Sequence, residues 1–352
     1  MIADAARVLI PALASFSIGI ALAPLLAYYL YRSKSWKKQA GKEGIGDTSG
    51  TPLFNALHET REVSTPRMGG ILIWSAVLGS SLLFIGLADL LGEPFSSLNF
   101  ITRNQTWLPF SALLVGAIAG LFDDTLEITR GDGGLRLRWR LAIVALLGFF
   151  SAWWFYEKLD VSSVGIPFGS PLELGWLFIP FFVFVMLAVY AGGIIDGIDG
   201  LAGGVFAFVF MAYAGIAFAQ EQTTLAAFSA SIAGATLAFL WFNIPPARFY
   251  MSETGSMALT VALAITAFSA DVLGEGVGVA VLPVIAFPLT ATVLGTALQV
   301  AAKRLFKRKL FLIAPIHHHF EALGWPPAKI VMRYWIITVI TGVLGLSIAL
   351  VG

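Results

Sequence analysis

Two aspartates stand side by side in GLFDDTLE, Asp123 and Asp124. Adjacent carboxylates can hold Mg²⁺, a hard cation that prefers oxygen ligands and often bridges protein to phosphate; they can equally be the solvated end of a helix. Glu127 and Asp132 add negative charge nearby, and Arg130, Arg136, Arg138 and Arg140 can neutralise it or bind anions. A second pair, Asp196 and Asp199, lies in IIDGIDGLAGG. Spacing of three puts both carboxylates on one side of a helical turn, and the glycines allow close backbone approach. Asp-Gly is also ordinary turn chemistry, and the segment lacks the glutamate that ends an EF-hand loop. Glu253 sits in NIPPARFYMSETGSMA, where Thr254, Gly255 and Ser256 can cap a helix whose N-terminus favours phosphate.

Three consecutive histidines, His317, His318 and His319, occur in APIHHHFEALGW. They cannot all face one metal in regular structure, and with no cysteine and only His58 besides, the sequence argues against structural zinc. Imidazoles beside Lys303, Arg304, Lys307, Arg308 and Lys309 suit a pyrophosphate or a sugar; the basic run also suits an anchor for anionic lipid. In STPRMGGILIW, Thr65-Pro66 reads as a helix start and Gly69-Gly70 as a site of close helix packing.

The elements that must carry these residues belong in lipid. The chain has 352 residues, 58% hydrophobic and 12% charged, with mean hydropathy +0.83. That leaves too little polar surface to clothe a soluble globule. Unpaired backbone groups are costly in hydrocarbon, and the apolar runs lack a barrel's alternation, so the sequence predicts an all-α, polytopic membrane protein. Windows long enough to span fall near 8–31, 69–92, 106–122, 138–155, 175–194, 201–219, 225–243, 256–273, 278–301 and 334–351, which makes about ten transmembrane helices. The first, with no small-residue cleavage site after Asp4 and Arg7, reads as a retained helix.

Alternating the connections separates the charges. Arg32, Lys34, Lys37, Lys38, Lys42, Arg61 and Arg67 share one side with the arginines of 130–140, with Arg248 and with the basic residues of 303–333, while only Arg7, Arg103 and Lys158 fall on the other. The positive-inside rule makes the first side cytoplasmic and puts both termini outside. The expected cytoplasmic loops are 32–68, 123–137, 195–200, 244–255 and 302–333, within a single domain covering 1–352. Every polar cluster named above then lies on one membrane face. A net charge of +1 argues for no nucleic acid as partner, and carboxylates at span ends argue against an ion-coupled transporter.

STPRMGG, FDD, DGIDGLAGG, FLWFN, ETGSMAL and APIHHHFEALGW, in this order over nearly the whole chain, resemble the polyprenyl-phosphate N-acetylhexosamine-1-phosphate transferases. The histidine segment, followed by Arg333 and Trp335, is most similar to the phospho-N-acetylmuramoyl-pentapeptide branch. The resemblance implies a multi-pass protein of the bacterial inner membrane, with ten spans, both ends outside and a cytoplasmic active site serving peptidoglycan synthesis. It implies attack by undecaprenyl phosphate on the β-phosphorus of UDP-MurNAc-pentapeptide, releasing UMP and forming lipid I, with Mg²⁺ bridging the pyrophosphate. By the same resemblance Asp123, Asp124, Asp196 and Asp199 are catalytic, Asp123 orienting or deprotonating the lipid phosphate. Glu253, Asp196 and Asp123 hold the metal, Asn243 lies near the uridine, and Arg140, His317, His318 and His319 bind substrate. A homodimer is compatible with it.

Four positions depart from the pattern. Glu253 replaces an aspartate, Glu127 stands where a lysine is usual, and Tyr190 and Gly193 occupy two asparagine positions. They keep two other readings in play, a sibling UDP-N-acetylglucosamine transferase and a non-catalytic relative that binds nucleotide or lipid.

Overall fold

A computed structural model describes residues 2–37, 63–103, 105–130, 133–272 and 276–352. Lys38, Lys42, His58, Arg61 and Asp132, named above, lie outside the described residues. Twelve α-helices, besides three short 3-10 turns, are found among those described: α1 (Ile2–Arg32), α2 (Ile71–Leu91), α3 (Trp107–Arg130), α4 (Leu137–Lys158), α5 (Phe178–Gly192), α6 (Leu201–Ala219), α7 (Thr223–Asn243), α8 (Ser252–Val272), α9 (Leu282–Ile285), α10 (Phe287–Phe306), α11 (Ile316–Ala322) and α12 (Pro327–Val351). A two-residue antiparallel hairpin, Ser163–Val164 with Leu172–Glu173, joins α4 to α5. Nine of these segments are long and apolar enough to cross a membrane, and the chain is a multi-pass membrane protein.

Burial sorts the helices into a centre and a rim. The most apolar stretch of α8 is 94% buried, against 22% for α12. A helix that is small and apolar on every side is surrounded by protein, and α8 packs against α3 and α5. Along the middle of α1, α4 and α12 most exposed side chains are apolar, among them Leu9, Leu13, Leu146, Phe150, Ile336, Ile340 and Val343. Such a surface is stable only where lipid is the solvent.

Glycines set the closest helix approaches. A Cβ at Gly120 of α3 would stand 2.1 Å from the Glu253 carbonyl oxygen of α8, and one at Gly70 would stand 2.2 Å from the Gly255 nitrogen. The Gly69-Gly70 reading of close packing therefore holds, and its partner is the start of α8. Backbone bonds reinforce that seam: the Gly69 and Gly70 N–H groups donate to Tyr250 and Met251, and Tyr250 donates to Pro66.

Several boundaries differ from the expected ones, among them the start of α8, which lies at Ser252 rather than near 256 and puts Glu253 on the helix instead of in the expected loop 244–255. The third span was expected to end near 122, but α3 continues to Arg130, so Asp123, Asp124 and Glu127 ride on helix rather than in a loop. Partner cations, described below, let that polar turn stay helical inside the protein. The last helix begins at Pro327, earlier than expected, and includes Arg333. The segment 278–301 is two helices, α9 and α10, broken at Ala286 with Pro288 next to the break. Proline lacks the N–H and clashes with the carbonyl four residues earlier, so a single straight helix cannot run through it.

Candidate active site

The termini of α3, α4, α5, α7 and α8 that meet at one end of the bundle carry nearly all the residues singled out in the sequence. The carboxylates there are neutralised by cations and backbone donors. Asp123 Oδ1 accepts the Leu135 N–H at 2.5 Å, and its Oδ2 lies 3.1 Å from Arg140 Nη2. Gly134, at φ +72, packs so closely that a Cβ there would stand 2.8 Å from Asp123 Oδ1. Arg140, entering from the first turn of α4, also reaches Glu253 Oε1 at 2.8 Å, and the other Glu253 oxygen accepts Tyr190 OH at 3.3 Å.

Asp124 is fully buried. Its Oδ2 accepts both the Thr254 N–H at 2.9 Å and the Thr254 hydroxyl at 2.6 Å, while Oδ1 lies 3.6 Å from Arg67 Nη2. Asp196 Oδ2 accepts the Ser252 N–H at 2.9 Å. The first turn of α8 is thus capped from outside by two carboxylates, which satisfy N–H groups that a helix start leaves over and suit its positive dipole end. The phosphate expected at this N-terminus finds the Ser252 and Thr254 donors already in use.

Glu127, the charge-reversed position, faces Arg67 Nη2 at 2.9 Å and Lys37 Nζ at 3.3 Å. Arg67 lies between spans. Burial is the largest single effect on it and opposes its charge, but Glu127, Asp124, Asp196 and Glu253 together hold its pKa above the ordinary arginine range. Lys37 and Arg67 were read in the sequence only as loop charges. The only signal for Arg67 was its place in STPRMGG, and nothing in the sequence marked Lys37.

Around the second aspartate pair the chain makes a compact frame. Asp199 Oδ2 accepts the Ala247 N–H at 3.1 Å. Asn243, buried, accepts from Gly200 N–H at 3.0 Å and donates to the Phe249 carbonyl at 2.9 Å. Trp335 on α12 donates to the Gly200 carbonyl at 3.1 Å, tying the last helix to the same turn. Gly200 takes φ +82, a conformation glycine adopts without strain.

The histidines divide. His317 and His318 are buried with ring centroids 4.3 Å apart, and a Cβ on Gly197 would meet both Nε2 atoms at 2.6 Å. They therefore stand directly against the DGIDG turn. His318 Nδ1 lies 2.5 Å from Glu321 Oε2. His319 points elsewhere: its Nδ1 accepts the Leu312 N–H at 3.2 Å and its ring packs on Phe311. In α11 successive side chains diverge by about 100°, so neighbours in sequence need not share a site.

As arranged, the set expected to hold Mg²⁺ does not fit the ion. Among the described residues no three His, Asp or Glu side chains form a group able to hold a metal, and a guanidinium lies between Asp123 and Glu253.

These clusters join a motif-rich core that one comparison recognises. Residues 106–271 match the model of glycosyl transferase family 4. The matched stretch includes Asp123, Asp124, Arg140, Asp196, Asp199, Asn243 and Glu253, all drawn to one end of the bundle. The match covers a little under half of the chain. The histidine segment lies beyond it.

Proposed function

We propose that this protein transfers phospho-N-acetylmuramoyl-pentapeptide from UDP to undecaprenyl phosphate, forming lipid I and UMP at the cytoplasmic face of a bacterial inner membrane. One observation carries the finer reading: His317 and His318, from the segment most similar to the pentapeptide-using branch, stand against the Asp196–Asp199 turn through Gly197. The match to glycosyl transferase family 4 supports the reaction class.

In this reading an oxygen of undecaprenyl phosphate attacks the β-phosphorus of the nucleotide. The bond to the bridging oxygen breaks, and UMP leaves with that oxygen. Most of the acceleration comes from positioning and electrostatics. Asp123 orients the attacking phosphate or takes its proton, beside Asp124; Asn243 holds the turn on the uridine side; His317 and His318 donate to the pyrophosphate or sugar. Mg²⁺ enters only as an expectation from the resemblance, because its expected ligands are engaged by protein donors.

The test is UMP release by purified protein supplied with UDP-MurNAc-pentapeptide, with and without undecaprenyl phosphate, beside a panel of other UDP sugars. Release that needs both substrates supports the proposal. Release only from UDP-N-acetylglucosamine would transfer the assignment to the sibling enzymes. Nucleotide binding with no release from any donor would identify a non-catalytic relative.

A further inference from the structure

We infer that Arg140 is a built-in cation that closes the gap between Asp123 and Glu253 and keeps divalent metal out of it in the substrate-free protein. The guanidinium is held by three hydrogen-bond acceptors and one further ion contact. Nε donates to the Leu135 carbonyl at 3.0 Å and Nη2 to the Gly133 carbonyl at 3.2 Å. Nη2 also meets Asp123 Oδ2 at 3.1 Å, and Nη1 meets Glu253 Oε1 at 2.8 Å. A Mg²⁺ ion must approach its oxygens to about 2 Å, so an ion bridging these two carboxylates would need the space Arg140 fills. Two positive groups cannot share it.

The remaining oxygens offer no way round. Asp123 Oδ1 takes the Leu135 N–H under the packed Gly134, and Glu253 Oε2 takes Tyr190 OH. Two of the sequence departures now form one unit. Glutamate at 253 carries one more carbon than aspartate, about 1.5 Å of reach, and its carboxylate meets Arg140 with one oxygen and Tyr190 with the other. Tyrosine at 190 supplies the second donor. Arginine suits the remaining role because its planar fork serves two carboxylates at once and stays charged when buried.

The inference concerns the free protein and holds whichever donor it uses. Mn²⁺ titration followed by electron paramagnetic resonance, on detergent-purified protein without nucleotide, tests it. Wild type is expected to leave the free-ion signal undiminished, as is Arg140→Lys, which keeps a positive charge. Arg140→Ala is expected to bind Mn²⁺ at least about tenfold more tightly, and adding Asp123→Asn should remove that gain. A wild-type protein that binds one Mn²⁺ and loses it on Asp123→Asn overturns the inference. So does a folded Arg140→Ala protein, judged by its melting curve, with no gain in Mn²⁺ binding. Should Arg140→Ala not fold, the wild-type, Asp123→Asn and Arg140→Lys titrations decide.

Discussion

Each position at which the chain departs from the transferase pattern has a partner close by. Glu127 sits in a triad with Arg67 and Lys37. Gly193 packs beside α8, where a Cβ would make ordinary contacts with Ser256 at 3.4 Å and Thr260 at 3.6 Å. The triad is nearly buried, with 11% of the Glu127 side chain exposed, and reversing one charge leaves three cations facing each other. Glu127→Lys should therefore cost about 3 kcal/mol of stability, seen as a lower melting temperature, and Lys37→Glu in the same chain should restore part of it. A Glu127→Lys protein that melts like its parent would remove the triad from the account. At Asp123 the expectation concerns rate. Asp123→Asn keeps the volume and the Leu135 bond but loses the charge, and UMP release should fall at least about 100-fold with donor binding retained, a split that single-turnover and binding measurements resolve.

Helix geometry explains why α3 and α8 are joined so closely. Their contact runs through Gly116 and Gly120, where an added Cβ would lie 2.8 Å from Val261 and 2.1 Å from the Glu253 carbonyl. Gly120→Ala must push the start of α8 outward and drag Glu253 from Arg140, so a loss of about 1–3 kcal/mol is expected together with lowered activity. Gly86 on α2 is the control: a Cβ there meets nothing within 4 Å. Gly86→Ala should leave stability unchanged or raise it by up to about 1 kcal/mol, the helix-propensity gain over glycine. Thermal melts in one detergent compare the two, and equal melting for both would contradict a glycine-set spacing.

Across the whole molecule, α8 links two polar ends. Glu253 lies in its first turn, and Asp271 at the other end accepts the Gly165 and Val279 N–H groups at 2.9 and 3.0 Å, about 27 Å away at 1.5 Å per residue. From that far end the chain must return to bring His317 against Gly197, and α9 with α10 make the return. Ile285 lies against Gly345 near the end of α12, and Leu289 against Gly192 beside the site. The ninth expected span, 278–301, is thus a bent pair of helices, and it is not among the nine described segments long and apolar enough to cross a membrane. With no cysteine in the chain, topology can be read directly. A single cysteine at exposed Leu310 should react with an impermeant maleimide only after the cytoplasmic face is opened, and one at exposed Glu173 should react in intact cells. The reverse pattern would invert the proposed orientation.

Fold class was legible because lipid leaves few options: long apolar windows must be helices, and the gaps between them carry the charge. The convergence of Asp123, Asp196, Asn243 and Glu253 was legible too, since alternating spans send those ends to one face. Partnership was not. Arg140 was one of four arginines in its stretch, and only packing decided that its guanidinium bridges Asp123 and Glu253. His319 looked equivalent to its neighbours until helical rotation turned it toward Leu312. Sequence periodicity determines which membrane end a residue reaches; which neighbour it meets there depends on helix spacing of a few ångströms, set by glycines such as Gly70 and Gly120 whose partners lie more than a hundred residues away.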